Sequence, residues 1–368
     1  MTDHESTTAW RELLETLGGL DASFLTGDRA VTDDRHIADG YRMLATTLGV
    51  AFDTYLFADP SRPQWVELNT PFRADRRWGG DNTDAYYFMC PVDPRRRYRI
   101  SGNRGDSVYF SVTAYNEPSP GAWSDEVVAI VRDDDLDVDA DGNFAFDLGP
   151  TSGAAALVTR DYQADPAVGR PVRWRIEALD DPDPFRHGDA ETAVRLRSAA
   201  AWMRTMFAIL PLAVGVRSED VHTLGHETSQ TANEFAAPYQ VPDANFGWSA
   251  RDACYAYGSF VLSDDEALVV THRPPACRFW NLVVWNQFMA TPGVADARSS
   301  INGHTAVPNS DGSVTIVLSK GMTAHPNSLT TLDYPLGNLA FRWFLAADVP
   351  ARPQTRLVKA SDAPTTVG

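Results

Sequence analysis

Two polar, glycine-bearing stretches hold the side chains best suited to acid/base chemistry. Asp81 and Asp84 lie in the run Gly79-Gly-Asp-Asn-Thr-Asp84, flanked by Trp78 and Tyr86. His226 and Glu227, with Glu234 further on, lie in the long small-residue stretch 218–252. General acid/base catalysis needs two groups whose surroundings hold their pKa values apart, as in hydrolases of glycosidic or amide bonds. A cleft shared by the two stretches would supply such a pair. The structural reading is that Asp81 and Asp84 form caps and turns, the usual work of aspartate in such a loop.

Other clusters carry weaker signals. His222 and His226 stand four apart and could hold zinc with Glu227. Position 223 is threonine, so the HExxH pattern is absent, and a polar loop is the simpler reading. Asp137, Asp139, Asp141 and Gly142 open like a calcium loop, yet the twelfth position is Leu148 where a bidentate glutamate is needed. A solvated turn closed by Asp141-Gly-Asn143 accounts for that cluster, and Asp133 to Asp135 lie beside it at a strand edge. No metal or cofactor is therefore assigned. His272, His304 and His325 fall near strand ends and read as hydrogen-bonded groups. No GxSxG elbow occurs, and Cys254 has no base beside it in sequence. Tyr86, Trp248, Arg278, Trp280 and Trp285 are the candidate ligand contacts. The aromatics offer apolar surface, and Arg278 a bidentate seat for an anion.

Composition narrows the partners. The formal net charge is −17, which opposes nucleic acid or an anionic membrane as partner. No apolar run approaches the roughly 20 residues that span a bilayer. The first ten residues are acidic and polar, without the features of a secretory signal, so a cytoplasmic location is expected. Three cysteines, with no CxxC pair, fit a reducing compartment and use as small hydrophobes. Lys320 and Lys359 are the only lysines among 32 basic residues, which leaves little material for Schiff-base chemistry, and no P-loop motif occurs. A small-molecule ligand is the expected partner, and homo-oligomerisation stays open.

The elements that position these groups follow from periodicity. Trp10, Leu13, Leu14 and Leu17 recur at helical spacing. A second helix starts after Asp33 or Asp34, striped by Ile37, Tyr41, Leu44, Leu48, Phe52 and Tyr55, and stops at Asp59-Pro60. The period then changes to two. Strands are expected at about 64–69, 84–90, 97–102, 107–115, 126–131, 144–148 and 171–179. The stretch 79–115, with turn residues at each corner, reads as a β-meander. A stiff Asp-Pro linker at 180–184 introduces a helix over about 189–209, with Ala193, Leu196, Ala200, Met203 and Phe207 on one face. Further strands follow near 257–262, 267–272, 278–286, 313–318 and 339–345, with a hairpin signal at Asp311-Gly312. Beyond Pro350 the tail reads as extended or frayed. The organisation is a helical N-terminal segment (1–60), an N-terminal β domain (61–180), a helical connector (181–217), a C-terminal β domain (218–350) and a tail (351–368). The fold class is mainly β, with a helical N-terminal segment and an interdomain helix, in two β-sandwich or jelly-roll-like domains.

Three segments, Cys277-Arg-Phe-Trp-Asn-Leu-Val-Val-Trp285, Asn309-Ser-Asp-Gly-Ser-Val-Thr-Ile-Val-Leu318 and Leu339-Ala-Phe-Arg-Trp343, resemble the bacterial family called domain of unknown function 1214. The region 79–115 looks like the segment preceding that domain in its relatives. Where many relatives carry Asn-Trp-Leu-Pro, this chain has Asn327-Ser-Leu-Thr-Thr-Leu-Asp333. The resemblance implies stacked β-sandwich or jelly-roll domains and no established activity. From the residues, the expected function is a metal-independent hydrolase or lyase using carboxylates and a histidine on a small hydrophobic or glycosylated molecule. The alternative is a non-catalytic ligand-binding or accessory module.

Overall fold

Strands buried on both faces and strands with one wet face sort into different layers, and that sorting organises this chain. The computed structural model describes residues 4–183, 188–212, 214, 231–242, 247–292 and 298–368. Helix α1 (Glu5–Gly19), the single turn α2 (Ala22–Leu25) and α3 (Asp34–Ala51) come first. Asp33 caps α3 by accepting from the backbone N–H groups of Arg35 and His36. In α1, Ala9 and Leu13 are the buried residues, while Trp10 and Leu14 are about half exposed. The apolar stripe read from spacing is therefore wider than the face that packs. The reason is the partner: α4 (Asp189–Phe207) presents small Ala193 and Ala200 beside Leu196, a narrow contact.

The first β region comprises β1 (Val66–Asn69), β2 (Ala85–Pro91), β3 (Tyr98–Asn103), β4 (Tyr109–Asn116), β5 (Val127–Arg132), β6 (Asn143–Leu148), β7 (Ala154–Tyr162) and β8 (Arg173–Ala178). They form an antiparallel five-stranded sheet of order β1-β2-β7-β4-β5 and a three-stranded sheet β6-β3-β8. The expected meander is absent, since β2, β3 and β4 never pair with one another. Burial explains the rearrangement. β4 is buried along almost its whole length and β2 on most positions, whereas β3 exposes Arg99 and packs Tyr98 and Ile100 inward. A strand with one solvated face belongs in an outer layer. The Pro91–Pro94 turn carries the chain there, and β7 takes the vacated place between β2 and β4.

The second region comprises β9 (Tyr239–Gln240), β10 (Ala253–Val261), β11 (Glu266–His272), β12 (Phe279–Trp285), β13 (Ser300–Asn302), β14 (Val314–Ser319), β15 (Ser328–Thr330), β16 (Leu336–Phe344) and β17 (Gln354–Lys359). One sheet has the order β13-β12-β16-β10-β9, the other β15-β14-β11-β17. The only parallel pair among the described strands is β14 with β15. The tail, read as extended or frayed, is extended over β17, which pairs with β11 from Glu266–Lys359 to Thr271–Gln354. Asp311-Gly312 closes a local turn, Asn309 N–H to Ser313 C=O, and does not join two paired strands.

Four sheets stack in consequence. Cys90, Ile100, Val112, Leu157 and Ile176 fill the first sandwich, and Phe260, Leu268, Leu282, Ile316, Leu339 and Phe341 fill the second. The two five-stranded sheets also face each other across a shared core containing Tyr87, Tyr109, Tyr162, Tyr255, Phe279 and Phe344. Trp202 and Met206 of α4 close one side of that core. No described helix is long and apolar enough to cross a membrane.

Candidate functional site

A cavity of about 150 Å³ lies where the two five-stranded sheets face each other. Strand alternation builds its walls. On β7, Val158, Arg160 and Tyr162 point inward; on β10, Tyr255 and Tyr257; on β16, Asn338 and Arg342. Gly79 and Gly80 form one rim, Gly247, Trp248 and Ser249 another, and Met206 closes the helix side. Gly79 and Gly80 of the stretch 79–84 therefore meet Gly247, Trp248 and Ser249 of the stretch 218–252 at one cavity. They meet through glycine backbone and Trp248, and the carboxylates of Asp81 and Asp84 are turned elsewhere.

Asp81 accepts from the Thr291 backbone N–H at 2.7 Å and from the Thr291 hydroxyl at 2.5 Å. The Arg77 guanidinium donates to the same hydroxyl oxygen at 2.7 Å. Asp84 accepts from the Asn281 side-chain amide at 2.8 Å, and from the Ser300 hydroxyl and the Asn302 amide at 3.1 Å each. Both carboxylates are buried, and desolvation pushes both pKa values up. Each ties the loop of the first region to β12, β13 or the segment after β12. In this geometry they act as staples, and the part of the loop offered to the cavity is Gly80. Its φ of +83° favours glycine. A Cβ there would sit 3.2 Å from the Trp285 ring and from the Met289 methyl.

The two arginines differ in their engagement. Arg160 donates to the Trp248 carbonyl at 2.5 Å, to the Tyr115 hydroxyl at 2.8 Å and to the Thr113 hydroxyl at 3.2 Å, so it clamps the Trp248 rim. Arg342 donates from Nη2 to the Gly80 carbonyl at 2.7 Å, and its guanidinium carbon lies 4.9 Å from the centre of the Trp285 ring. Its Nη1 is buried without a hydrogen-bond partner among the described residues. Neither guanidinium forms an ion pair among the described residues. Around them stand hydroxyls: Tyr87 donates to Tyr162 at 3.4 Å, and Tyr255 accepts from the Ala250 N–H at 2.9 Å. At the far end Trp78 meets Trp248 edge-on at 6.1 Å. Trp202, behind them, stacks on Trp248 at 5.3 Å. No carboxylate, imidazole or thiol is on the wall among the described residues.

Of the residues singled out from sequence, Trp248 and Trp285 line the cavity. Tyr86 points away and donates to the Pro166 carbonyl. Trp280 faces the second sandwich, 4.5 Å from His272. Arg278 is consumed by Asp133 at 2.7 Å and Asp134 at 2.8 Å, with a further bond to the Val108 carbonyl, so it braces the two regions. His222, His226 and Glu227 lie outside the described residues. Asp139, from the calcium-like run, accepts from the N–H groups of Asp141 and Asn143 and so forms the turn. The segment 327–333, where the chain departs from the family pattern, does not border the cavity.

The sequence reading passed over Arg160 and Arg342. A signal was present at Phe341-Arg-Trp343, where the charge interrupts an aromatic pair; at Val158-Thr-Arg-Asp-Tyr162 the adjacent Thr159 and Asp161 conceal it. A charge in a strand buried on both faces is held for a reason.

Residues 264–345 match the family model DUF1214, described as a protein of unknown function. No curated protein matches the chain. Among solved structures, an uncharacterised protein from Burkholderia cenocepacia is similar over 97% of this chain and 98% of that one. Its identity is 24% and the TM-score is 0.85, so the two share a fold. The VPA0106 protein from Vibrio parahaemolyticus aligns over 87% of this chain and 98% of its own, at 12% identity and a TM-score of 0.46.

Proposed function

We propose that this chain, whose residues 264–345 carry the DUF1214 region, binds a small molecule in the cavity between its two five-stranded sheets. The observation that carries the reading is an aromatic-lined chamber into which the sequence commits buried polar groups. Ligand sites are mostly apolar hollows with a few placed polar groups, and this wall has that composition. A volume of 150 Å³ is about that of an apolar cavity able to hold benzene, so the ligand portion seated there is one ring or a short branched chain.

Hydrolase or lyase chemistry built on Asp81 and Asp84 is less favoured, because their oxygens already accept bonds from Thr291, Asn281, Ser300 and Asn302. The binding reading is tested by titrating the native protein with toluene while following tryptophan fluorescence, since Trp78, Trp123, Trp248 and Trp285 line the wall. Saturable change is expected. A flat titration up to toluene's solubility overturns the reading.

A further inference from the structure

We propose that Arg342 is the seat for an acidic group, so that the ligand of the inter-sheet cavity is a small carboxylate with an apolar body about the size of a benzene ring. The inference rests on the cavity reading above and adds the charge of the ligand to it. Arg342 is 5% exposed and sits mid-strand on β16, between Phe341 and Trp343, which both face the second sandwich. Alternation along the strand turns its guanidinium the other way, onto the cavity wall.

A guanidinium offers five donors in a fixed fork. Here Nη2 is spent on the Gly80 carbonyl, while Nη1 has no acceptor among the described residues. Burying a cation without full pairing is costly, and an aromatic face offsets only part of that cost. The Trp285 ring provides such a face. Two buried carboxylates of this region, Asp81 and Asp84, feel the Arg342 charge but are held by Thr291 and by Asn281, Ser300 and Asn302, and neither forms an ion pair with Arg342.

The contrast with Arg160 sharpens the assignment. Arg160 uses both terminal nitrogens on protein oxygens. Arg278, read from sequence as the anion seat, is satisfied by two aspartates. Arg342 combines deep burial, a position on the cavity and an unused donor. The chamber beyond it, walled by Trp78, Trp248, Met206 and Leu212, suits an apolar body. A chain of net charge −17 repels anions at long range, so an acid would be held by this local donor and not by the general field.

The experiment compares benzoate, its neutral isostere benzamide, and toluene, by calorimetry and tryptophan fluorescence on the full chain. With the native protein, benzoate is expected to bind at least about tenfold more tightly than benzamide, equivalent to about 1.4 kcal/mol. Arg342→Met, which keeps the stem and removes the charge, should abolish that preference while toluene still binds. Arg342→Lys should retain part of it, since lysine keeps the charge but not the fork. Equal affinities for benzoate and benzamide in the native protein overturn the inference even if Arg342→Met does not fold. Persistence of the preference in a folded Arg342→Met protein overturns it as well. If toluene binds without any preference for the acid, only the acid seat fails. If none of the three binds, the cavity reading fails with it.

Discussion

His272 is buried in the second sandwich at 4% exposure, and its removal should change how stability depends on pH. Its ring lies 4.5 Å from Trp280 and 4.6 Å from Phe341, and neither ring nitrogen has a partner among the described residues. Burial alone pushes its pKa from 6.5 down to about 3. In the unfolded chain the imidazole takes up a proton below its ordinary pKa, while in the folded chain it stays neutral until about pH 3. Stability is therefore lost as pH falls from about 6.5 towards about 3, at about 1.4 kcal/mol per pH unit. Between about pH 8 and about pH 5 the loss is about 2 kcal/mol.

Asp161 works in the opposite sense. Burial raises its pKa from 3.8 to about 6, so the folded state gains protons and relative stability as pH falls through about 6. It belongs to the first sheet and shares no partner with His272, so its contribution should cancel in a difference between variants. The perturbation is His272→Leu, close in size and without titration or unsatisfied nitrogens. Urea unfolding of both proteins at about pH 8 and about pH 5 gives the stability difference at each pH, and any packing cost enters both equally. The variant should gain about 2 kcal/mol on the wild type between the two conditions. A difference that stays constant within about 0.5 kcal/mol, inside the usual scatter for independent sites, would refute the reasoning.

Arg278→Ala should destabilise the protein by about 2 kcal/mol, because it leaves buried Asp133 without its charged partner. Its affinity for benzoate should stay unchanged, since Arg278 does not border the cavity; urea unfolding and calorimetry check the two halves. The cysteines should resist a thiol-specific disulfide reagent at about pH 8 in the folded protein. Burial pushes Cys90 up to about 12 and Cys277 up to about 11, and raises Cys254, so the reactive thiolate is scarce. All three should react at once in denaturant, and a fast stoichiometric reaction of native protein would contradict this account.

Helix and strand positions were legible wherever period and burial agreed. The face of α4, with Ala193, Leu196, Ala200, Met203 and Phe207 all buried, is the one its spacing predicts. Strand β7 escaped notice although it lies at the centre of the first sheet. Its alanines have weak strand propensity, and Arg160 and Asp161 mask a segment buried on nearly every position. Pairing was less legible than position. Turn residues at each corner of 79–115 suggested neighbours, but which layer a strand joins depends on whether one of its faces meets water. The pairing of the extended tail was not legible for a related reason: edge strand β17 is mostly exposed and polar, so it carries no apolar pattern. At the site, Trp248 and Trp285 were visible as aromatics beside polar loops. Asp81 and Asp84 were visible as acid/base candidates in a glycine-rich loop, yet their bonding partners come from residues 281–302, some 200 positions away, which no local pattern encodes. Arg342 lies within the family-like run Leu339–Trp343, and its place on the cavity follows from both neighbours, Phe341 and Trp343, facing the opposite side.

The most direct test of a ligand-binding inter-sheet cavity uses the methionine methyls. Met206 and Met289 border the cavity. Met43, Met89 and Met203 are buried elsewhere in the shared core, and Met322 is exposed. With methyl-labelled methionine, a benzoate titration followed by carbon–proton correlation spectra should shift the Met206 and Met289 signals along saturable curves. The Met43, Met89, Met203 and Met322 signals should stay in place. Unmoved Met206 and Met289 signals at saturating benzoate, or shifts confined to Met322, would contradict the account.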